Sequence, residues 1–430
     1  MDKQDKPKRK GLQMLALTLA MLLAVGVFIW AVFGAGKWGG VPAATSSLGG
    51  VQPQSALSMP ENSYQAIPLP EEMRAMWVVY LEWMARDISS EEMFRAEVAQ
   101  MFDACRALGL NTVIVAVRPY ADALYQSEVY PWSDLLTGIP GQAPGFDPLA
   151  IAVQEAHARG LRLEAMVNPY RVRTQVGYPE SYAPNSPAVL HPEWVKESEG
   201  WWFDPGYPAV SDMIVEGIRE IVANYEVDGI HLDDYFYPEH CTEEFDNESY
   251  ALYGEGKPRE EWRRENTSGM VARAYAAVKA ENPTVSFGIS PQGNNDNNYN
   301  GQRIDVKLWM STPGYVDYVM PQLYWGFNYR LANGSDRFAF ANIAAEWAGY
   351  PRAEGVHLYA GLGAYRIAEG DGGSNDQSEW QSGRNLADMV LHLRGQTGFS
   401  GFSLFRYDYL FRNTDPLFAE EEAALREILT

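Results

Sequence analysis

The chain of 430 residues is 46% apolar and 21% charged, proportions that allow a large buried core. Its formal charge of −22 argues against a nucleic-acid partner, because that binding rests on phosphate neutralisation by Lys and Arg. The two cysteines, Cys105 and Cys241, offer no zinc spacing, and neither a metal nor a cofactor is expected.

Lys3, Lys6, Lys8, Arg9 and Lys10 precede an uncharged, mostly apolar run from Leu12 to Phe33. As a helix that run would be about 33 Å long, enough to span a bilayer. Basic residues ahead of it keep the amino terminus cytoplasmic and export the remainder of the chain. Residues 1–36 are therefore expected to form a signal anchor that places the rest of the chain outside the cell membrane. The rival is a cleaved signal peptide, which would release a secreted protein. Residues 37–70, rich in Gly, Ser, Pro and Ala, are expected to form a flexible linker, and residues 71–430 the folded domain.

From Met73 onward, short apolar runs at 73–81, 112–119, 162–170, 229–235, 284–291, 315–325, 355–365 and 399–409 alternate with amphipathic stretches. The stretches fall near 91–108, 147–160, 210–225, 262–281, 304–313, 335–349, 380–395 and 415–429. Each parallel strand pair needs a long crossover, so this alternation predicts an α/β fold, a closed (β/α)₈ TIM barrel. An open doubly wound sheet is the alternative, but the Gly-rich phosphate turn it normally carries after the first strand is missing. Arg118, Asn168, Asp233, Ser290, Gln322 and Arg406 each fall at the carboxyl end of a different expected strand, where barrel enzymes assemble their sites.

In the fourth run, alternation puts His231, Asp233 and Tyr235 on one face and Leu232 and Asp234 on the other. Asp233 then points into the barrel mouth, and Asp234 either turns back toward it or caps the next loop. Glycoside hydrolysis needs two carboxyl groups, one to protonate the leaving oxygen and one to attack or to activate water. Asp233 is expected to be the first. For the second, Asp122, Glu164 and Glu239 are all open, with Asp122 favoured because the apolar run beside it would raise its pKa. Arg118, Arg171 and Arg173 could each receive an acidic sugar or bridge to strand-end acids. Gln322 and Tyr324 share a face suited to hydroxyl recognition, and Trp325 offers a ring for stacking. Thirteen Trp are suited to sugar platforms as well as to the core. His157 and His191 read as structural, and the loop Asn294–Asn300 as solvated rather than calcium-binding.

At these residues the chain resembles the bacterial glycosyl-hydrolase-like family 10, once listed as domain of unknown function 187. The shared stretches include Met73-Arg-Ala-Met-Trp77, Asp122-Ala-Leu-Tyr125, Asn168-Pro-Tyr-Arg171, Val227-Asp-Gly-Ile-His-Leu-Asp-Asp-Tyr-Phe-Tyr-Pro238, Phe287-Gly-Ile-Ser-Pro291 and Pro321-Gln-Leu-Tyr-Trp325. The resemblance implies a barrel hydrolase of the cell envelope, with some relatives acting on peptidoglycan glycan strands stripped of their peptides. It has two departures: Gln292-Gly-Asn-Asn-Asp296 follows the fifth strand where relatives carry an aromatic and an Arg, and Tyr235 stands where the chitinase pattern has its Glu. The expected function is hydrolysis of O-glycosidic bonds in such a polysaccharide, with Asp233, Asp234 and Asp122 as catalytic candidates. Arg118, Asn168, Arg171, His231, Tyr235, Gln322, Tyr324 and Trp325 are the expected substrate contacts. The alternative is a non-catalytic barrel that binds wall glycan and positions a partner.

Overall fold

A computed structural model describes residues 64–174, 182–374 and 377–430. Seven barrel strands are β1 (Met73–Val78), β2 (Thr112–Arg118), β3 (Arg162–Val167), β4 (Gly229–Leu232), β5 (Ser286–Ile289), β6 (Tyr318–Val319) and β8 (Gly401–Phe405). The seventh in chain order, β7, has two parts, His357–Leu358 and Ala360–Gly363, separated by Tyr359 alone. The first part pairs with β6 and the second with β8, while β8 pairs with β1, so the parallel ladder closes on itself. Each strand is followed by a helix: α1 (Glu91–Ala107), α2 (Pro148–Ala158), α3 (Pro208–Asn224), α4 (Arg259–Glu281), α5 (Val306–Ser311), α6 (Phe340–Ala348), α7 (Asn385–Gly395) and α8 (Pro416–Leu429). Side-chain caps fix several starts: Ser90 accepts from Met93 N, Asp147 from Leu149 N and Ala150 N, and Asp415 from Leu417 N.

Alternation along the strands builds two apolar layers. Met73, Ala75, Trp77, Ile114, Ala116, Met166, Tyr318, Met320 and Tyr359 fill the barrel interior. Val113, Val115, Leu163, Ala165, Ile230 and Leu232 face outward and pack with the helices. Cys105 and Cys241 are buried free thiols. One element was not foreseen. Between β3 and α3, Arg171–Arg173 and Val195–Glu197 both pair antiparallel with Trp201–Phe203, giving a small three-stranded sheet beside the mouth.

The expected anchor, residues 1–36, and the expected linker as far as residue 63 lie outside the described residues. Among the described residues no helix is long and apolar enough to cross a membrane. The last seven residues of the expected linker, 64–70, lie against the barrel base. Asp228, fully buried at the start of β4, holds them there: its Oδ1 accepts from Tyr64 OH and from Ile67 N, both at 2.6 Å. Its Oδ2 accepts from Leu163 N at 2.8 Å and meets His157 Nε2 at 3.0 Å, which gives His157 its structural role.

Burial alone would raise the pKa of Asp228, but the hydrogen bonds from His157 and Tyr64 hold it below the usual carboxylate value. Its contribution to stability is therefore present above the unfolded-state pKa and lost as pH falls through the lower folded value. Asp228→Ala, which strands several buried donors, is expected to cost on the order of 3 kcal/mol in denaturant unfolding at neutral pH, with a smaller difference from wild type in acid.

Candidate active site

Asp233 directly succeeds β4 and extends its ladder, its N–H donating to Val167 O at 3.2 Å. Inward alternation from Gly229 through His231 brings its carboxyl group to the mouth, where Oδ1 lies 3.2 Å from Ser290 Oγ and accepts from Gln322 Nε2 at 3.2 Å. Gln322 also donates to Ser290 O at 3.2 Å, so the ends of β5 and β6 clamp one oxygen of Asp233. Asp233, Asp234 and Tyr235 are half-buried. Burial raises the pKa of Asp233, opposed by hydrogen bonds from Asp234 and Ser290 and by the charge of Arg171. Asp234 is pushed well above the carboxylate range, first by burial and then by the charge of Asp233 beside it. Its carbonyl accepts from Gln302 Nε2 at 2.5 Å, which fixes the turn after it.

The unforeseen sheet supplies the cation. Arg171 lies over the Tyr235 ring at 4.2 Å and near Tyr120 at 5.7 Å, and its charge lowers the pKa of both Asp233 and Asp234. Trp202 packs against Tyr235 at 5.9 Å between ring centroids. Across the mouth Tyr324 contacts Tyr365 at 5.6 Å and Phe405 at 5.7 Å. Burial raises the Tyr324 pKa first, and Tyr365, Asp233 and Asp234 nearby raise it further. Of the residues expected at the site, Asp233, Asp234, Arg171, Tyr235, Gln322 and Tyr324 lie together at the mouth.

Other expected contacts are placed elsewhere. A register shift between Ala116 and Arg118 puts Arg118 opposite Val167, which faces the helices. Its buried guanidinium donates to the carbonyls of Asn168 at 2.5 Å and Pro169 at 2.9 Å and lies 4.3 Å over the Tyr130 ring, so it braces backbone. Asn168 is likewise buried, donating to Pro119 O at 2.9 Å. His231 is fully buried one layer below Asp233, out of reach of a ligand in the mouth. Trp325 lies on the Phe338 ring, 5.0 Å between centroids and 22° between planes, so one of its faces is occupied.

The alternative second carboxylates have other partners. Asp122, favoured from sequence, is buried and ion-paired with Arg173 at 3.2 Å, and Arg173 also binds Asp134. Burial raises its pKa to about 6 against the pull of Arg173. Glu164 points inward but is sealed in the barrel, bonded to Arg162, Ser286 and Tyr318. Glu239 accepts from Gln292, one of the residues that depart from the family pattern. Asn294–Asn300, expected as a solvated loop, forms a short helix over Asn295–Asn300, where buried Asn298 bonds both backbone polar groups of Gln292. Among the described residues no acidic, His or Cys cluster could hold a metal.

Sequence reasoning missed Tyr318 and Glu82. Alternation back from Gln322 through Met320 would have put Tyr318 in the interior. Glu82 is fully buried after β1, accepting from Val79 N at 2.8 Å and pairing with Arg406, so that strand-end arginine is also committed. A Glu three residues after Val79, the residue that precedes the short helix there, was the capping signal for it.

A closed parallel barrel with an acidic pair at the carboxyl end of β4 has the architecture of a (β/α)₈ glycoside hydrolase. It shares its fold with the glycoside hydrolase domain of PgaB (BpsB) from Bordetella bronchiseptica, at a TM-score of 0.53 and 12% identity over 84% of this chain and 99% of that one. It also matches α-L-fucosidase isoenzyme 2 from Paenibacillus thiaminolyticus, at a TM-score of 0.52 and 15% identity over 83% of this chain but only 49% of that one. More particularly, the chain belongs to the glycosyl hydrolase-like 10 family, whose model matches residues 72–382. Glycosyl hydrolase YngK of Bacillus subtilis is 34% identical over 76% of this chain and 68% of its own length. Glycosyl hydrolase DigH of Escherichia coli K12 is 32% identical over 84% of this chain and 88% of its own. The protein is accordingly a glycoside hydrolase, and the family implies a polysaccharide substrate.

Because Arg171 lowers the pKa of both acids, its removal raises both. Arg171→Gln is expected to move the acid limb of the kcat/KM profile to higher pH, measured on a soluble glycan; an unmoved limb would place that guanidinium outside the field of the acids.

Proposed function

We propose that the protein hydrolyses O-glycosidic bonds in a cell-envelope polysaccharide, most specifically peptidoglycan glycan strands, with Asp233 and Asp234 as its reacting carboxyl groups. The observation that carries this reading is the contrast between the two neighbours. Burial raises the pKa of Asp233 too, but donors on β5 and β6 stabilise it once it ionises, while Asp234 is pushed well above the carboxylate range by burial and by the charge Asp233 carries when ionised. Two acids whose environments push their pKa values apart suit a division of roles. Asp233 supplies negative charge at the anomeric centre and Asp234 carries the proton for the leaving oxygen.

Recognition is proposed to rest on three features of the mouth. Gln322 and the Tyr324 hydroxyl face sugar hydroxyls, and the rings of Tyr235 and Trp202 form an aromatic wall. Arg171 meets a substrate carboxylate, such as the lactyl group that peptide-free strands retain. With a net charge of −22, the protein repels an acidic polymer at long range, so such a local cation is required to admit one. The apolar run Leu12–Phe33 is proposed to hold the enzyme at the outer face of the cell membrane.

Asp233→Asn preserves volume but removes the charge that an oxocarbenium-like transition state requires. It should lower turnover on peptide-free glycan strands by about 10³-fold or more with binding largely retained, as read by release of reducing ends. Asp122→Asn, made alongside, should keep turnover within about tenfold, since Asp122 is engaged by Arg173; the reverse ranking would move the reacting group to β2. Full-length protein should remain with membranes through a carbonate wash. A mature amino terminus found between residues 34 and 45 would replace the anchor with a cleaved signal.

A further inference from the structure

Below Asp233 a continuous line of polar side chains descends through the barrel. Ser290 Oγ lies 3.2 Å from Asp233 Oδ1, His231 Nε2 lies 2.9 Å from Ser290 Oγ, and His231 Nδ1 lies 2.7 Å from Tyr318 OH. Tyr318 OH contacts Glu164 Oε2, and Glu164 Oε1 accepts from Arg162 at 3.0 Å. Ser290, His231, Tyr318 and Glu164 are all fully buried. Burial pushes the His231 pKa to about 3, so the ring is neutral and carries one proton.

Counting protons along this line gives a constraint. There are four links between Asp233 and Glu164, and the serine, the imidazole and the tyrosine bring one proton each. The fourth link is filled only by a proton on one of the two carboxyl groups. With both ionised, two lone pairs face each other at some link; with both protonated, two hydrogens do. The Leu232 carbonyl, 3.4 Å from Ser290 Oγ, is the longest of the three contacts around that hydroxyl, so the count keeps the serine proton within the line, on one of its two shorter contacts.

We propose that Asp233 and Glu164 share a single proton through Ser290, His231 and Tyr318, and that Asp233 is freed as a carboxylate when this proton passes down to Glu164. The proposal rests on the reading of Asp233 as a reacting group and makes Glu164 a positioning residue that never meets substrate. In the transfer Asp233 gives its proton to Ser290 Oγ as the serine proton moves to His231 Nε2. The Nδ1 proton moves to the Tyr318 oxygen as the tyrosine proton moves to Glu164. Four bonds to hydrogen break and four form, no residue between the ends becomes charged, and His231 changes from its Nδ1–H to its Nε2–H tautomer. Arg162 beside Glu164 holds the negative charge at the bottom in the resting enzyme. A cationic sugar at the mouth, aided by the charge of Arg171, draws it up to Asp233.

The tautomer of His231 reports the state of the line without substrate or turnover. In full-length protein labelled with ¹⁵N-histidine, with His231 assigned from the spectrum that His231→Gln lacks, wild type at neutral pH should show a neutral ring protonated on Nδ1. Glu164→Gln should switch it to Nε2–H: Arg162 only donates, so it takes the amide oxygen and turns the amide NH₂ toward Tyr318, which must then donate to His231. Tyr318→Phe should abolish that switch in the double variant and lower kcat by about 10²-fold with KM little changed. An imidazolium or an Nε2–H ring in wild type overturns the relay, and this reading requires no variant to fold. So does a folded Glu164→Gln variant that keeps Nδ1–H, or a Tyr318→Phe variant of normal turnover. Loss of the proposed role of Asp233 would appear instead as an active Asp233→Asn variant, with the tautomers unaffected.

Discussion

A small residue makes the barrel interior possible. A Cβ at Gly288 would lie 1.9 Å from the Tyr318 ring, so on β5 only glycine leaves the space that ring occupies. At the layer below, a Cβ at Gly229 would fall 2.4 Å from Ser286 Oγ and 2.7 Å from the Glu164 carboxyl carbon. These two absences of a side chain let an aromatic and a charged group stand inside a closed barrel, where branched apolar residues usually pack. Once there, they must be fully partnered, since an unpaired polar group at that depth costs more than a typical bond returns. Arg162, Ser286, His231 and Ser290 meet that need, and the last of them holds Asp233. The stretch Phe287-Gly-Ile-Ser290 thus has a physical meaning: the glycine admits the ring and the serine aims the acid.

The same logic explains the division between mouth and interior. Below Asp233 the polar line through Ser290, His231, Tyr318 and Glu164 is buried, while at Asp233, Asp234 and Tyr235 the chain becomes half-exposed. A carboxyl group at that boundary feels low-dielectric surroundings from below and a ligand from above. That setting raises its pKa and sharpens its response to a single nearby cation. Arg171 provides this cation from outside the eight-strand framework, on the small sheet inserted after β3.

The barrel was legible because its strands are short apolar runs set between amphipathic stretches of helical spacing, and all eight strand–helix units fall where that pattern put them. Asp233 was legible for the same reason, as the last inward residue of a short strand. Arg118 was misjudged because one irregular residue in β2 reverses the face of everything after it, and no local signal marks that shift. The partner of Asp122 was not legible, because Arg173 reaches it from an antiparallel insertion whose pairing spans distant sequence. Trp325 stacks on a ring thirteen positions later in a loop, a contact that periodicity does not encode. Tyr64 and Ile67 lie in a segment whose composition reads as tether, yet two hydrogen bonds to one buried carboxylate make it part of the fold.

That last contact sets the direction in which the enzyme can be held. Asp228 and Asp233 stand at opposite ends of β4, so the chain entering at residue 64 reaches the barrel at the end away from its mouth. Anything that restrains the preceding segment therefore grips the molecule by its closed end and leaves the open end free. A pull on the chain at residue 64 would therefore load the Asp228 clasp first, and not the acids at the far end of the strand.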